Sequence, residues 1–498
     1  MHLLTIAAFA CLFWQAEEPG LWVLLTHKHA AWIWLVAVGP LPLIGLASWW
    51  ATRRGVLLIT TRPDVPHSGP QFHHRVMAFL RATVLVHFAA LVFLTDWPAV
   101  FAATRHPALQ IVGDLATLSP YVMGLLLTWL ASFPIENVLR GESLDGEPDE
   151  PSGGARPWGL AAYMDFQIRH QFLIVAVPML LILFCANICR GYETAINARL
   201  GWNFGADSLL GVCAAAVFVV SPVLLRRIWR TAPLEKGLIR DRLEAICQRV
   251  GLRCREILVW KSDGLMINAA VMGLVPQCRY VMLSDGLLAS MNAQQIEAVF
   301  GHEAGHVRHR HIQFFLVFAL VGWFAVAGVM EGASRLSVQG ANGDALTTST
   351  VQGVVLLSGA IFWGLGFGWL SRRFERQADL FGAQCVSPDP SDCRLPCSMH
   401  LDAQTLKTGP AHVCMTGAAV FASALDRVAV LNGIPHEERS WRHSSIGSRM
   451  RFLASLAGDP SRASRFDGQV RRAKKMMLVL AAGGSLVAGY IWLFSGQS

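Results

Sequence analysis

Stretches of about 20 consecutive apolar residues recur along this 498-residue chain, and each could cross the hydrocarbon core of a bilayer as a helix. Hydrophobic residues make up 53% of the sequence and charged residues only 15%, which is too apolar for an ordinary soluble protein. The sequence therefore predicts a polytopic membrane protein. We expect eight spans, near residues 31–50, 82–101, 119–135, 171–189, 208–225, 313–332, 351–370 and 476–494.

Basic residues are distributed unevenly among the loops that join these spans. They concentrate after the first, fifth and seventh spans and before the eighth, whereas 102–118 and 333–350 carry one arginine each. By the positive-inside rule the basic loops are cytoplasmic, which places the large polar regions 226–312 and 371–475 in the cytoplasm. This topology explains the net charge of +8 without a nucleic-acid partner. We expect an integral protein of a bacterial inner membrane, or of an ER-type membrane if the chain is eukaryotic.

A cluster of histidines precedes the sixth span. Residues 293–312 predict a helix with Asn292 as the N-cap of a capping box. Within it, "HEAGH" places His302 and His306 four residues apart on one helix face, with Glu303 beside them. Two neutral imidazoles can bind Zn²⁺, and the carboxylate can take a proton from a metal-bound water whose pKa zinc lowers to about 7. The alternative is a charged collar that anchors the helix among lipid headgroups.

A third ligand decides between these two interpretations. The metzincin pattern needs glycine and histidine where this chain has His309 and Ile312, so that class is excluded. A gluzincin takes a glutamate from a second helix, and "SRRFERQADLFGAQC" follows the next two predicted spans. There Glu375 and Asp379 share one helix face, so Glu375 can bind the metal while Asp379 accepts a ring N–H from a ligand histidine. His309 and His311 are expected to face headgroups.

The combined pattern resembles a known family. "HEAGH", two membrane helices and then "SRRFERQAD" are similar to the integral-membrane gluzincins that include the bacterial heat-shock protease HtpX and the CaaX prenyl protease. The resemblance covers roughly residues 235 to 457. It implies zinc ligation by His302, His306 and Glu375, a general base in Glu303, and an orienting role for Asp379.

Two further segments resemble the same family. "NAAVMG" matches its NA-x-x-x-G segment, which implies an edge strand that binds substrate through Asn268, Ala269 and Gly273. An ordinary buried hairpin is the alternative for this segment. "SWRHSSIGSRMRFL" is similar to the family's H-P-x-x-x-x-R segment, with serine in place of proline, which implies that His443 or Arg449 stabilises an oxyanion. A solvated basic segment is the alternative there.

The insertion at 385–415 lies outside the resemblance and is rich in potential ligands: Cys385, Cys393, Cys397, His400, His412 and Cys414. These side chains could hold a second, structural zinc, form two disulfides, or stay unligated thiols. Disulfides would contradict the cytoplasmic location. The sequence leaves the three alternatives open.

The sequence thus predicts a mainly α-helical membrane protein with about eight transmembrane helices and a small α+β gluzincin-type zinc protease domain. We expect a zinc metalloendopeptidase that cleaves membrane-associated or misfolded proteins. The alternatives are CaaX-type prenyl-protein processing and a non-catalytic membrane scaffold with structural zinc. The expected division is an N-terminal membrane region at 1–230, two halves of the protease domain at 235–312 and 371–475, a helix pair between them at 313–370, and a last transmembrane helix at 476–498.

Overall fold

The computed structural model describes most of the chain, namely residues 1–17, 23–61, 68–101, 106–144, 159–201, 203–264, 266–339, 357–359, 361–387, 413–432, 434–438, 443–457 and 459–495. The chain divides into two compact units, Met1–Arg230 and Thr231–Ser498. The first consists of helices and the second combines helices with a small sheet. The predicted fold class, a mainly α-helical membrane protein with a small α+β domain, is confirmed. The finer division into five parts stays a prediction.

The first unit is built from helices whose apolar faces bury aromatic side chains such as Phe88, Tyr121 and Trp129. Asn187 and Asp114 of these spans form a 2.6 Å hydrogen bond, which avoids the cost of several kcal/mol for an unpaired polar group in hydrocarbon. The α-helices are His2–Glu17, Ala30–Val38, Pro40–Thr61, Ser68–Leu94, Trp97–Phe101, Gln110–Leu144, Leu160–Gln167, Ile174–Gly191, Glu193–Leu200 and Gly205–Ile228.

Six helical segments among the described residues are long and apolar enough to cross a membrane: Ala30–Thr61, Ser68–Leu94, Pro107–Val138, Leu160–Gly191, Gly205–Ile228 and His311–Met330. They correspond to the first six predicted spans. The second span was expected at 82–101, but its helix ends at Leu94. At this break the Thr95 hydroxyl donates to the Leu91 carbonyl and accepts the Trp97 backbone N–H. The seventh predicted span lies partly outside the described residues, and the eighth is not among the six. The count of eight stays a prediction.

The second unit contains a four-stranded sheet with strands β1 (Thr231–Pro233), β2 (Glu256–Trp260), β3 (Ala269–Met272) and β4 (Tyr280–Ser284). The strand order is β1-β2-β4-β3, with β2 and β4 parallel and the other neighbours antiparallel. β4 is buried along its whole length. Because β3 is last in the strand order, it forms an edge of the sheet as far as the structure describes the chain.

Two helices of the second unit carry the motifs, and we call them the HEAGH helix (Ala293–Arg308) and the FERQAD helix (Gly368–Cys385). The predicted capping box is present, because Asn292 and Gln295 each accept the other's backbone N–H at the start of the HEAGH helix. The other α-helices of this unit are Leu238–Val250, Asp285–Ser290, His311–Gln339, Met415–Leu431, Ile446–Leu456 and Pro460–Ser495.

The helix predicted over 293–312 is interrupted before its expected end. It ends at Arg308, and Arg310 adopts a left-handed conformation with φ of 56°, which terminates an α-helix. A new helix starts at His311. The expectation that His311 faces headgroups is therefore wrong, since the break leaves its side chain fully buried.

Small residues let the HEAGH and FERQAD helices approach each other closely. A methyl group on Gly305 would lie 3.0 Å from the Cα of Ala378, and one on Gly301 would lie 3.1 Å from the Cα of Gly382. Larger side chains at these positions would push the two helices towards the usual interaxial distance of about 8–10 Å. The glycines therefore set the distance between the two motifs.

We expect Gly305→Ala to separate the two helices, because its new methyl group meets backbone rather than a flexible side chain. The free energy of unfolding should fall by about 1–3 kcal/mol, the usual cost of overpacking, and zinc affinity should fall with it. Thermal unfolding in detergent and metal titration measure the two effects. Gly468→Ala is the matched control, because its methyl group would meet nothing within 4 Å. If Gly305→Ala and Gly468→Ala lose equal stability and equal zinc affinity, the close approach of the two helices does not determine either property.

Candidate metal centre

Three side chains predicted to bind zinc converge in the second unit. His302, His306 and Glu375 each offer a ligand atom, and these atoms all lie within 4.8 Å of one another. The two Nε2 atoms are 3.2 Å apart, and the Glu375 carboxylate oxygens lie 3.7 Å from His302 Nε2 and 3.8 Å from His306 Nε2. The helical spacing of four and the close approach of the FERQAD helix together produce this cluster.

The spacing of these atoms fits a tetrahedral zinc ion. With zinc–ligand distances of about 2.0–2.2 Å, neighbouring ligand atoms of a tetrahedral site stand about 3.4 Å apart. Two histidines and one carboxylate are also the donor set of catalytic zinc sites that leave a fourth position open. Burial, together with the neighbouring His302, lowers the pKa of His306 to about 4, which keeps its imidazole in the neutral form that binds metal. The residues present therefore fit zinc.

Glu375 remains ionised although it is buried. Burial by itself would raise the pKa of its carboxyl, but the surrounding cations and histidines, His443 first among them, hold that pKa below its ordinary value. His443 Nδ1 lies 3.2 Å from a Glu375 oxygen, and about half of the His443 side chain is exposed. His443 is thus placed at the open side of the cluster.

The second nitrogen of His302 faces a buried ion pair. Its Nδ1 lies 2.9 Å from Asp379 Oδ1, and the Asp379 carboxylate also accepts two hydrogen bonds from the Arg449 guanidinium, one of them 2.8 Å from Arg449 Nε to Oδ2. Burial would raise the pKa of Asp379, but Arg449 lowers it below its ordinary value. Asp379 thus occupies the position expected of a residue that orients a ligand, and Arg449 holds Asp379.

Glu303 projects beside the cluster and contacts the edge of the sheet. One of its oxygens accepts a 3.1 Å hydrogen bond from the backbone N–H of Val271 on β3. Burial raises the pKa of the Glu303 carboxyl to about 7. A carboxyl with that pKa can both accept and release a proton near neutral pH.

The segment predicted to bind substrate lies at this same edge. Asn268 and Ala269 line the cavity beside the cluster, and the Asn268 side chain accepts the Ala269 N–H at 2.9 Å. Gly273 is not among the lining residues. It ends β3 with φ of +104°, and a methyl group there would lie 2.3 Å from the Cys278 carbonyl oxygen. Glycine is therefore required at 273 for the turn that follows β3.

The cavity has a volume of about 330 Å³ and joins the polar cluster to an apolar wall. The wall includes Phe421, Ala424, Leu425 and Val428 from the helix Met415–Leu431. The apolar periodicity of this helix indicated burial, but only the tertiary structure shows that this face borders the cavity. In the insertion, Cys393, Cys397, His400 and His412 lie outside the described residues, so its three alternatives stay open.

Replacing Arg449 with methionine should leave the Asp379 carboxylate buried without its cation. Breaking such a buried pair costs on the order of 3–5 kcal/mol, and Asp379→Asn added to Arg449→Met should restore much of that loss. Chemical unfolding in detergent measures both. Arg451→Met is the control, because Arg451 and Glu437 form an exposed pair whose loss should be barely measurable. An Arg449→Met variant as stable as the Arg451→Met variant would contradict this description of the site.

Comparison with known proteins finds that residues 233–414 match the model of peptidase family M48. A "Protease HtpX homolog" from Thermoplasma acidophilum is 25% identical over 170 residues, which cover 32% of this chain and 51% of the relative. A "Protease HtpX" from Xanthomonas euvesicatoria is 30% identical over 159 residues, covering 30% of this chain and 53% of the relative. The chain thus spans about half the length of these curated relatives.

Among solved structures, the crystal structure of S. mikatae Ste24p is similar, with a TM-score of 0.51 at 16% identity. The match covers 85% of this chain and 98% of that one, so the two proteins share a fold. The resemblance predicted from "HEAGH" and "SRRFERQAD" is confirmed by the family match and by these relatives. Residues 233–414 are thus similar to peptidase family M48, and the chain as a whole shares its fold with an integral-membrane protein, S. mikatae Ste24p.

Proposed function

We propose that this chain is a membrane-embedded zinc metalloendopeptidase that hydrolyses peptide bonds of membrane-associated or misfolded proteins. The observation that carries the proposal is the convergence of His302, His306 and Glu375 with Glu303 beside them. When bound, zinc would supply a Lewis acid that lowers the pKa of a water ligand to about 7 and polarises the scissile carbonyl.

Glu303 acts as the general base in this proposal. Its carboxylate takes a proton from the attacking water and later gives it to the leaving amine. The hydrogen bond from the Val271 N–H holds one of its oxygens and leaves the other for this transfer. The pKa of about 7, raised by burial, suits a group that must both accept and release a proton.

The substrate binds as an extended strand along β3. Residues 267–269, at the start of this strand, line the cavity, and backbone pairing along a strand edge depends little on the substrate's sequence. The apolar wall of the cavity takes one substrate side chain. Asn268 and Gly273 support this edge, the first by bonding the Ala269 N–H and the second by turning the chain after β3.

His443 is the better placed of the two predicted oxyanion residues. Its half-exposed ring reaches the cluster from the open side, where a developing negative charge needs a donor. Arg449 acts through Asp379, because its guanidinium binds both carboxylate oxygens of that residue. The site faces the cytoplasm in this proposal, as the basic loops of the sequence predict.

The proposal predicts that Glu303→Gln abolishes cleavage and keeps zinc. The full-length protein in detergent should bind one zinc and cleave casein, and the variant should lose about 10²–10⁴-fold in rate, the usual contribution of a general base. Zinc content is read by elemental analysis and cleavage by peptide release. Glu297→Gln, on the same helix and paired with Arg242, is the control and should cleave normally. A Glu303→Gln variant that cleaves as fast as the control would refute the assignment.

The alternatives are separated by the choice of substrate. A CaaX-type processing protease would cleave a prenylated peptide in preference to casein, and the fold shared with Ste24p does not decide between them. A scaffold with structural zinc would retain the metal and cleave neither. The broad backbone recognition expected at β3 favours casein.

A further inference from the structure

His306, like His302, has a ring nitrogen that faces away from the metal centre. This nitrogen, Nδ1, contacts a residue outside the "HEAGH" and "FERQAD" motifs. His306 Nδ1 lies 2.9 Å from Nδ1 of His311, whose side chain is fully buried. In a continuous helix, residues five apart project from different faces. The left-handed Arg310 breaks the helix and turns His311 back towards His306.

A chain of hydrogen bonds continues from His311 into two further helices. His311 Nε2 lies 2.9 Å from Gln377 Oε1 on the FERQAD helix. Gln377 donates from Nε2 to Asp467 Oδ1 at 2.7 Å, and Lys474 donates from Nζ to Gln377 Oε1 at 3.0 Å. Asp467 and Lys474 both belong to the helix Pro460–Ser495.

The donor and acceptor of each of these hydrogen bonds follow from the two charged residues, Asp467 and Lys474, at the far end of the series. Lys474 can only donate and the Asp467 carboxylate can only accept, so the amide oxygen of Gln377 must face Lys474 and His311. His311 therefore donates from Nε2. In a neutral imidazole the other nitrogen is an acceptor, so His311 Nδ1 accepts the Nδ1–H of His306. That leaves the lone pair of His306 on Nε2, the atom that faces His302 and Glu375.

We propose that His311 is a positioning residue for the metal centre. His311 fixes the tautomer and ring orientation of His306, and Gln377 and Lys474 in turn fix the tautomer of His311. This inference rests on the proposed zinc site and names a residue that the "HEAGH" and "FERQAD" motifs leave out. A ligand imidazole usually donates its second N–H to a carboxylate, a carbonyl or water. Here a neutral histidine takes that place.

Aromatic side chains pack against His311 and Lys474 and hold both residues in place. The His311 ring stacks on Phe374 with 4.2 Å between ring centroids and 5° between planes. The Lys474 ammonium is buried against the rings of Phe314 and Phe374, and it also donates to the His309 carbonyl at 2.8 Å. Lys474 thus ties the last helix to both the helix break and the metal centre.

The test is the zinc affinity of His311 variants of the full-length protein in detergent. His311→Leu removes the acceptor and should weaken zinc binding by roughly 10–100-fold, the usual effect of losing such a partner. His311→Asn keeps an oxygen near the Nδ1 position and should recover most of the affinity. His436→Leu is the matched control and should bind zinc normally, because the half-exposed His436 ring bonds the exposed Asp426 carboxylate and takes no part in the hydrogen bonds behind His306.

Zinc affinity is measured by competition with a chromophoric chelator, and Co²⁺ absorption reports the ligand geometry independently of activity. His311→Leu should shift the Co²⁺ bands, whereas His311→Asn and His436→Leu should not. Thermal unfolding of the metal-free proteins separates loss of metal from loss of fold.

Three outcomes would overturn the proposal. If wild type binds zinc tightly and His311→Leu binds it equally, His311 does not position His306, although the proposed function stands. If His311→Asn binds zinc as weakly as His311→Leu, while both metal-free proteins unfold like wild type, then His311 does not act by accepting the N–H of His306. If wild type itself binds no zinc, the proposed function and this inference fail together.

Discussion

The close approach of the HEAGH and FERQAD helices is the constraint on which the metal centre depends. Three ligand atoms from two helices must lie within a few ångströms of one point, and ordinary side chains would hold the helices too far apart. Gly301, Gly305 and Gly382 remove that obstacle by letting backbone contact backbone. Each glycine costs helix propensity, so the packing of neighbouring elements must supply the stability that the helices lose.

Around this contact, each ligand histidine is oriented by a different kind of partner. His302 faces the Asp379–Arg449 ion pair, whereas His306 faces a neutral histidine backed by Gln377 and Lys474. Both partners are buried, where a hydrogen bond is strong and an unmet donor is costly. Because Arg449 and Lys474 come from the C-terminal part of the chain, the geometry of the centre requires segments far from either motif.

The cavity beside the cluster combines a strand edge with an apolar wall. β4 is buried and supports β3, whose Val271 N–H donates to Glu303. The helix Met415–Leu431 closes the opposite side with aliphatic and aromatic side chains. A cavity with the start of a strand on one wall and apolar side chains on the other suits an extended peptide.

The sequence by itself predicted the membrane class and the capping box from composition and local spacing, and it predicted that His302, His306 and Glu375 meet from the "HEAGH" spacing and the resemblance of "SRRFERQAD" to a known family. It could not determine that Arg449 binds Asp379, that the helix breaks at Arg310, or that His311 is buried behind His306. Those features depend on contacts between residues 66 to 97 positions apart, as in His311–Gln377 and Gln377–Lys474. A local pattern does not reveal which distant side chain will meet a buried nitrogen; only the folded packing decides that.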